Sequence, residues 1–202
     1  MRGERPNANA IALVVDEYAA APVRNPDGTT GISLHVVVDD AIPREPRTNE
    51  LDSLRLRLSY FDNETRGYHH ATVVHDARLA GDSVAGFATT GHLVLQTRGR
   101  DGDTYTTREQ AHVLMHELGH ALGLSTARYE GIDSYDVPHD QYESVMNYNA
   151  PWGTLGYSNG APFDDWAYLE ANMYGPPALT VNLPVPTTAA STNETPTNAT
   201  AS

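Results

Sequence analysis

His116-Glu117-Leu118-Gly119-His120-Ala121-Leu122-Gly123 is the stretch on which the reading of this chain turns. Two imidazoles four residues apart project from nearly the same face of a helix, about one turn apart. That spacing lets both bind one Zn²⁺. Glu117 comes directly after the first histidine. A carboxylate there reaches a metal-held water without ligating the metal, and zinc lowers the pKa of such a water to about 7.

The surrounding residues make a helix here the expected structure. Thr106 and Glu109, and equally Thr107 and Gln110, have capping-box spacing just upstream. Leu114, Leu118, Ala121 and Leu122 form an apolar stripe of helical period, so the helix packs into a core. Gly123 is placed to end it. By itself H-E-x-x-H occurs by chance on surface helices, so a second motif must support it.

Glu143-Ser144-Val145-Met146-Asn147-Tyr148 lies downstream, after a loop-like stretch. With H-E-x-x-H-x-x-G before it, its Ser-Val-Met-Asn-Tyr core resembles the Met-turn of metzincins, zinc metalloproteases of the zincin superfamily that include astacin-, snapalysin- and pappalysin-like enzymes. The resemblance implies that Met146 forms an apolar floor beneath the histidines. It also implies that Tyr148, like the astacin-type tyrosine, stands at the metal and hydrogen-bonds an oxyanion.

The chain departs from the family pattern at one ligand. H-E-x-x-H-x-x-G-x-x-H places a third histidine at position 126, and snapalysin-like relatives place an aspartate there; this chain has Thr126. A catalytic zinc normally takes three protein ligands plus water, so another side chain is expected to substitute. Asp133 ranks first, because the Gly131-Ile132 step before it suits a chain doubling back. His139 ranks next, as the commoner type of zinc ligand, with Glu130 and Asp136 behind. Each could equally be a solvated loop residue. Glu143 would serve in a gluzincin-type site, but its position against Ser144 favours a turn.

The other histidines read differently. Helix rise puts His112 and His120 about 12 Å apart, too far to share an ion, so His112 is expected at the rim. His35, His69, His70, His75 and His92 lie in extended stretches without ligand spacing and are expected to be packed or at the surface.

Composition narrows the function classes. The 202 residues hold 26 acidic and 13 basic side chains, every basic one arginine, for a net charge of −13. That charge argues against nucleic-acid or anionic-membrane partners, and with the missing lysine it resembles proteins of salt-loving organisms. No cysteine is present, which excludes disulfides and thiolate ligands. No apolar run approaches a membrane span. The apolar segment from Ile11 to Val15 is too short for a signal core, so the default expectation is cytoplasmic, and secreted if the N-terminus is incomplete.

Along the chain, residues 10–21 are expected as an amphipathic helix with Ile11, Val14, Val15 and Tyr18 on its inner face. Asn25-Pro26-Asp27-Gly28 is a turn. Residues 32–38 read as a strand. Leu51, Leu54, Leu58 and Phe61 fit a second helix, although residues 54–58 also alternate. Residues 71–75 and 87–96 read as further strands, and 85–96 is the candidate edge strand for pairing with an extended peptide. Asp101-Gly102-Asp103 reads as a solvated turn. After the Met-turn, Trp166, Leu169 and Met173 have helical spacing. Residues 176–202 are rich in Thr, Pro, Asn and Ala and are expected to be disordered; their triplets Asn193-Glu194-Thr195 and Asn198-Ala199-Thr200, and Asn63-Glu64-Thr65 upstream, fit the glycosylation pattern.

These readings combine into an α+β, zincin-like domain over residues 10–175, flanked by an extension of residues 1–9 and the tail. A mixed twisted sheet, an active-site helix and a C-terminal helix after the Met-turn are expected. The resemblance implies a monomeric zinc endopeptidase acting on peptides or proteins, with His116, His120 and Asp133 holding Zn²⁺, Glu117 as general base and Tyr148 at the oxyanion. The alternative is a non-catalytic metal-binding or interaction module on the same scaffold.

Overall fold

The computed structural model describes residues 5–61, 68–89, 91–99, 101–125 and 135–173. The described architecture is α+β. Four helices, α1 (Ala8–Ala19), α2 (Glu50–Tyr60), α3 (Thr107–Ala121) and α4 (Asp165–Met173), accompany five short strands. β1 (His70–Val74), β5 (His92–Gln96) and β4 (Gly86–Thr89) form a three-stranded sheet in that order; β2 (Ala77–Leu79) and β3 (Asp82–Val84) form a hairpin. The sheet is mixed: β1 runs parallel to β5, with His70 opposite His92, and β4 runs antiparallel, with Gly86 opposite Leu95. No helix among the described residues is long and apolar enough to cross a membrane.

Period-2 alternation along β5 divides the interior. Leu93 and Leu95 face the main core with α1 and α3, whereas Val94 faces a smaller cluster with Val74, Ala77 and Phe87. The main core gathers Val14 and Tyr18 of α1, Met115 and Leu118 of α3, Val145, Met146 and Tyr157 of the subsequent loops, and Trp166 and Leu169 of α4. Asn7 caps α1 by accepting from the backbone N–H groups of Asn9 and Ala10. The helix begins at Ala8, and its inner face runs through Ala10, Val14 and Tyr18. Ile11 and Val15, expected on that face, flank it half-buried.

Three expectations are corrected. Residues 32–38 form no strand, and Val36, Val37 and Val38 are exposed. Branched side chains favour a strand only where a ladder receives them, and among the described residues β1 pairs with β5 alone. Residues 87–96 are not one strand. Gly91 has φ +72°, and the chain turns there into a hairpin, so of this segment β5 is central and β4 lies at one edge, with β1 at the other. α2 is a helix, with Asn49 and Asp52 completing a capping box, but its leucine stripe faces outward. Leu51 and Leu58 are 74% and 72% exposed, while Ser53 and Leu56 are buried. The principal neighbour of α2 is β1, so only a narrow face is covered.

His92 shows how the sheet interior treats a histidine. It is 3% exposed, stacks on His70 at 4.9 Å and lies 3.2 Å from the Thr72 hydroxyl. Burial, then the neighbouring His70 and Arg57 charges, push its pKa down to about 4. The unfolded chain, with a pKa of about 6.5, therefore binds this proton first. The stabilisation is complete above pH 6.5 and is lost as the pH falls from there towards 4. Allowing for solvent screening, the loss is about 2 kcal/mol. His92→Gln should flatten the pH dependence of urea unfolding by that amount across this interval; identical profiles would show that His92 does not titrate on unfolding.

Candidate metal centre

α3 carries the centre, and its two ends are fixed as its sequence predicts. Thr106 accepts from the Glu109 N–H, and the Glu109 carboxylate accepts from the Thr106 N–H. At the other end Gly123 has φ +105°, the Gly123 N–H donates to the His120 carbonyl and the Leu124 N–H donates to that of Gly119. This Schellman-type stop needs the left-handed residue glycine supplies. It also turns the Leu124 carbonyl back towards His120.

That carbonyl fixes one imidazole and the Val145 carbonyl fixes the other. His120 Nδ1 lies 2.7 Å from the Leu124 oxygen, and His116 Nδ1 lies 2.8 Å from the Val145 oxygen. A carbonyl only accepts, so each Nδ1 carries the proton and each neutral Nε2 presents a lone pair. The two Nε2 atoms are 3.1 Å apart. Two lone pairs held that close repel unless a cation lies between them. Two nitrogens on a tetrahedral zinc, at about 2.05 Å each, stand about 3.3 Å apart, so the pair fits such an ion. Anchoring of the distal nitrogen is also how metal-ligating histidines are usually oriented. Burial, then the proximity of His120, push His116 down to about 3; burial also lowers His120. Both effects favour the neutral, ligating form.

Glu117 is 6% exposed, and its Oε2 is enclosed without a hydrogen-bond partner among the described residues. Burial pushes its carboxyl up to about 8. Tyr148 is half-exposed, with its ring 5.3 Å from that of His116, and Tyr135 stacks on it at 4.8 Å. Burial, then the Glu117 charge, raise its pKa. The phenol therefore stays protonated, able to donate. On the other side of His116 the rings of His112, Trp152 and Tyr105 continue the rim; His112 is held through Nδ1 by the Thr154 carbonyl.

Met146 is fully buried beneath α3. A Cβ on Gly119 would stand 2.5 Å from the Met146 sulfur and 3.0 Å from the Tyr157 ring. Glycine in a helix costs about 1 kcal/mol, and here it lets the turn and Tyr157 pack directly on the helix backbone. Tyr157 donates to the Met115 carbonyl at 2.6 Å, tying the same loop to α3.

The expected ligands divide. His116 and His120 converge. Among the described residues, no third His, Cys, Asp or Glu joins them to form a metal-holding group. His139, Asp136 and Glu143 are all described: His139 is half-buried, and Asp136 and Glu143 are exposed. Thr126, Glu130 and Asp133 lie outside the described residues.

Two contributors are not evident in the sequence. Gly86 faces Glu117 from β4, and Asp165 of α4 binds Ser144 within the turn. A glycine inside a strand signals close approach of another group, which could have singled out Gly86. Nothing local distinguishes Asp165 from its neighbour Asp164. No family model, curated protein or solved structure matches the chain.

Proposed function

We propose that the chain is a zinc-dependent endopeptidase of metzincin type, with a zincin-like arrangement of the α+β domain. The observation that carries the proposal is the pair of Nε2 lone pairs 3.1 Å apart, both Nδ1 protons committed to carbonyls, beside a buried carboxyl whose Oε2 has no hydrogen-bond partner among the described residues. Zinc would supply Lewis acidity and an acidified water. Glu117 takes the proton of the attacking water and returns it to the amine nitrogen as the C–N bond breaks. Tyr148 donates to the oxygen that gains charge. β4, at the sheet edge beside α3, offers its backbone to an extended peptide or protein substrate. Asp133 remains the leading third ligand.

The second reading, a non-catalytic metal-binding or interaction module, draws on the finding of only two ligands among the described residues. Elemental analysis separates the two, performed in high salt because of the −13 charge. The expected result is one zinc per chain, lost in His116→Ala and in Asp133→Ala but retained in His139→Ala, together with chelator-sensitive cleavage of an unstructured protein. Zinc-free wild type, or zinc without cleavage, would favour the module.

A further inference from the structure

Gly86 does not occupy β4 for conformational reasons. Its φ is not in the left-handed region, and it pairs regularly with Leu95. Glycine inside a strand weakens it, through lost packing and greater unfolded-state freedom. The reason for a missing side chain is spatial. A Cβ at Gly86 would stand 2.8 Å from both Cγ and Oε1 of Glu117, and 2.9 Å from the Val94 carbonyl. Two of the three closest atoms thus belong to the one carboxylate side chain of the candidate centre. That side chain is nine-tenths buried, and its Oε2 has no hydrogen-bond partner among the described residues.

We propose that Gly86 is a positioning residue for Glu117, its absent side chain forming the slot between β4 and α3 that holds the carboxylate. The catalytic consequence rests on the peptidase reading; the packing consequence does not. A methyl group at residue 86 must push the Glu117 side chain away, because the strand backbone around the slot is held by its ladder to β5. A carboxylate displaced by even 1 Å serves a proton transfer poorly.

A double-mutant cycle on the full chain tests the slot without assuming catalysis. Gly86→Ala should lower the urea midpoint clearly, as overpacking does. In a Glu117→Ala background, where Cγ and the carboxylate are gone, the same substitution should lower it by less than half as much. Equal shifts in both backgrounds would overturn the proposal and assign the glycine to the Val94 carbonyl. If Gly86→Ala alone fails to fold, recovery of folding in Gly86→Ala/Glu117→Ala supports the slot, and failure of both variants overturns it. Where the wild type cleaves peptides, Gly86→Ala should lower kcat about 10-fold or more, with KM and bound zinc unchanged. Loss of zinc or a change confined to KM would overturn the positioning role. A wild type without hydrolysis defeats the peptidase reading, and the cycle still decides the slot.

Discussion

On the proposed peptidase reading, Glu117→Gln should lower peptide hydrolysis by about 10²- to 10⁴-fold without loss of zinc or fold, the usual range for removal of a general base. The substitution preserves shape. It exchanges the unpartnered carboxylate oxygen for an amide group of the same size, so the slot against Gly86 and the packing under β4 are retained. An amide cannot accept the water proton. Both imidazoles remain, still held by Leu124 and Val145, so zinc content should be that of wild type. Steady-state cleavage and elemental analysis on the same preparation check both halves. Undiminished cleavage with zinc bound would remove Glu117 from the mechanism, and loss of zinc would make it a ligand or a structural residue instead.

The parts of the molecule legible from sequence are those set by local chemistry. The capping box at Thr106, the glycine stop at Gly123 and the four-residue histidine spacing specify α3 from within a few residues of each other. The Ser144 to Tyr148 segment draws attention because it follows the histidine motif in a recognisable order, and Met146 lies against Gly119 of α3. The features that sequence misplaces depend on partners elsewhere in the chain. The branched run at residues 32–38 has full strand propensity but pairs with no strand among the described residues. Leu51, Leu54 and Leu58 of α2 are correctly periodic but exposed, and it is Leu56 that is buried. Periodicity reports that a face exists; only tertiary contacts determine whether it is covered. Gly86 is obscure for a related reason, since its significance lies in a side chain 31 positions downstream.

Asp165→Ala should destabilise the protein by about 4 kcal/mol and weaken the proposed zinc binding, although Asp165 belongs to α4 and lies outside the candidate ligand set. Its carboxylate is fully buried. It accepts from the Tyr142 hydroxyl at 2.8 Å, the Ser144 hydroxyl at 2.5 Å and the Ser158 N–H at 3.1 Å. Ser144 Oγ in turn accepts from the Met146 N–H at 3.0 Å. The network therefore sets the backbone between Tyr142 and Met146, which includes the Val145 carbonyl that holds His116. Truncation to alanine removes the acceptor that three buried donors share, at about 1–3 kcal/mol each before relaxation, and opens a small void. Asp165→Asn keeps one acceptor oxygen but turns an NH₂ group towards donors, so about half the loss is expected. Urea unfolding of the zinc-free proteins measures the first effect, and competition with a zinc chelator measures the second. If both variants lie within about 1 kcal/mol of wild type, the buried carboxylate contributes nothing to the turn. If stability falls while zinc affinity is unchanged, the Val145 carbonyl does not depend on the network, and the centre is organised by α3 alone.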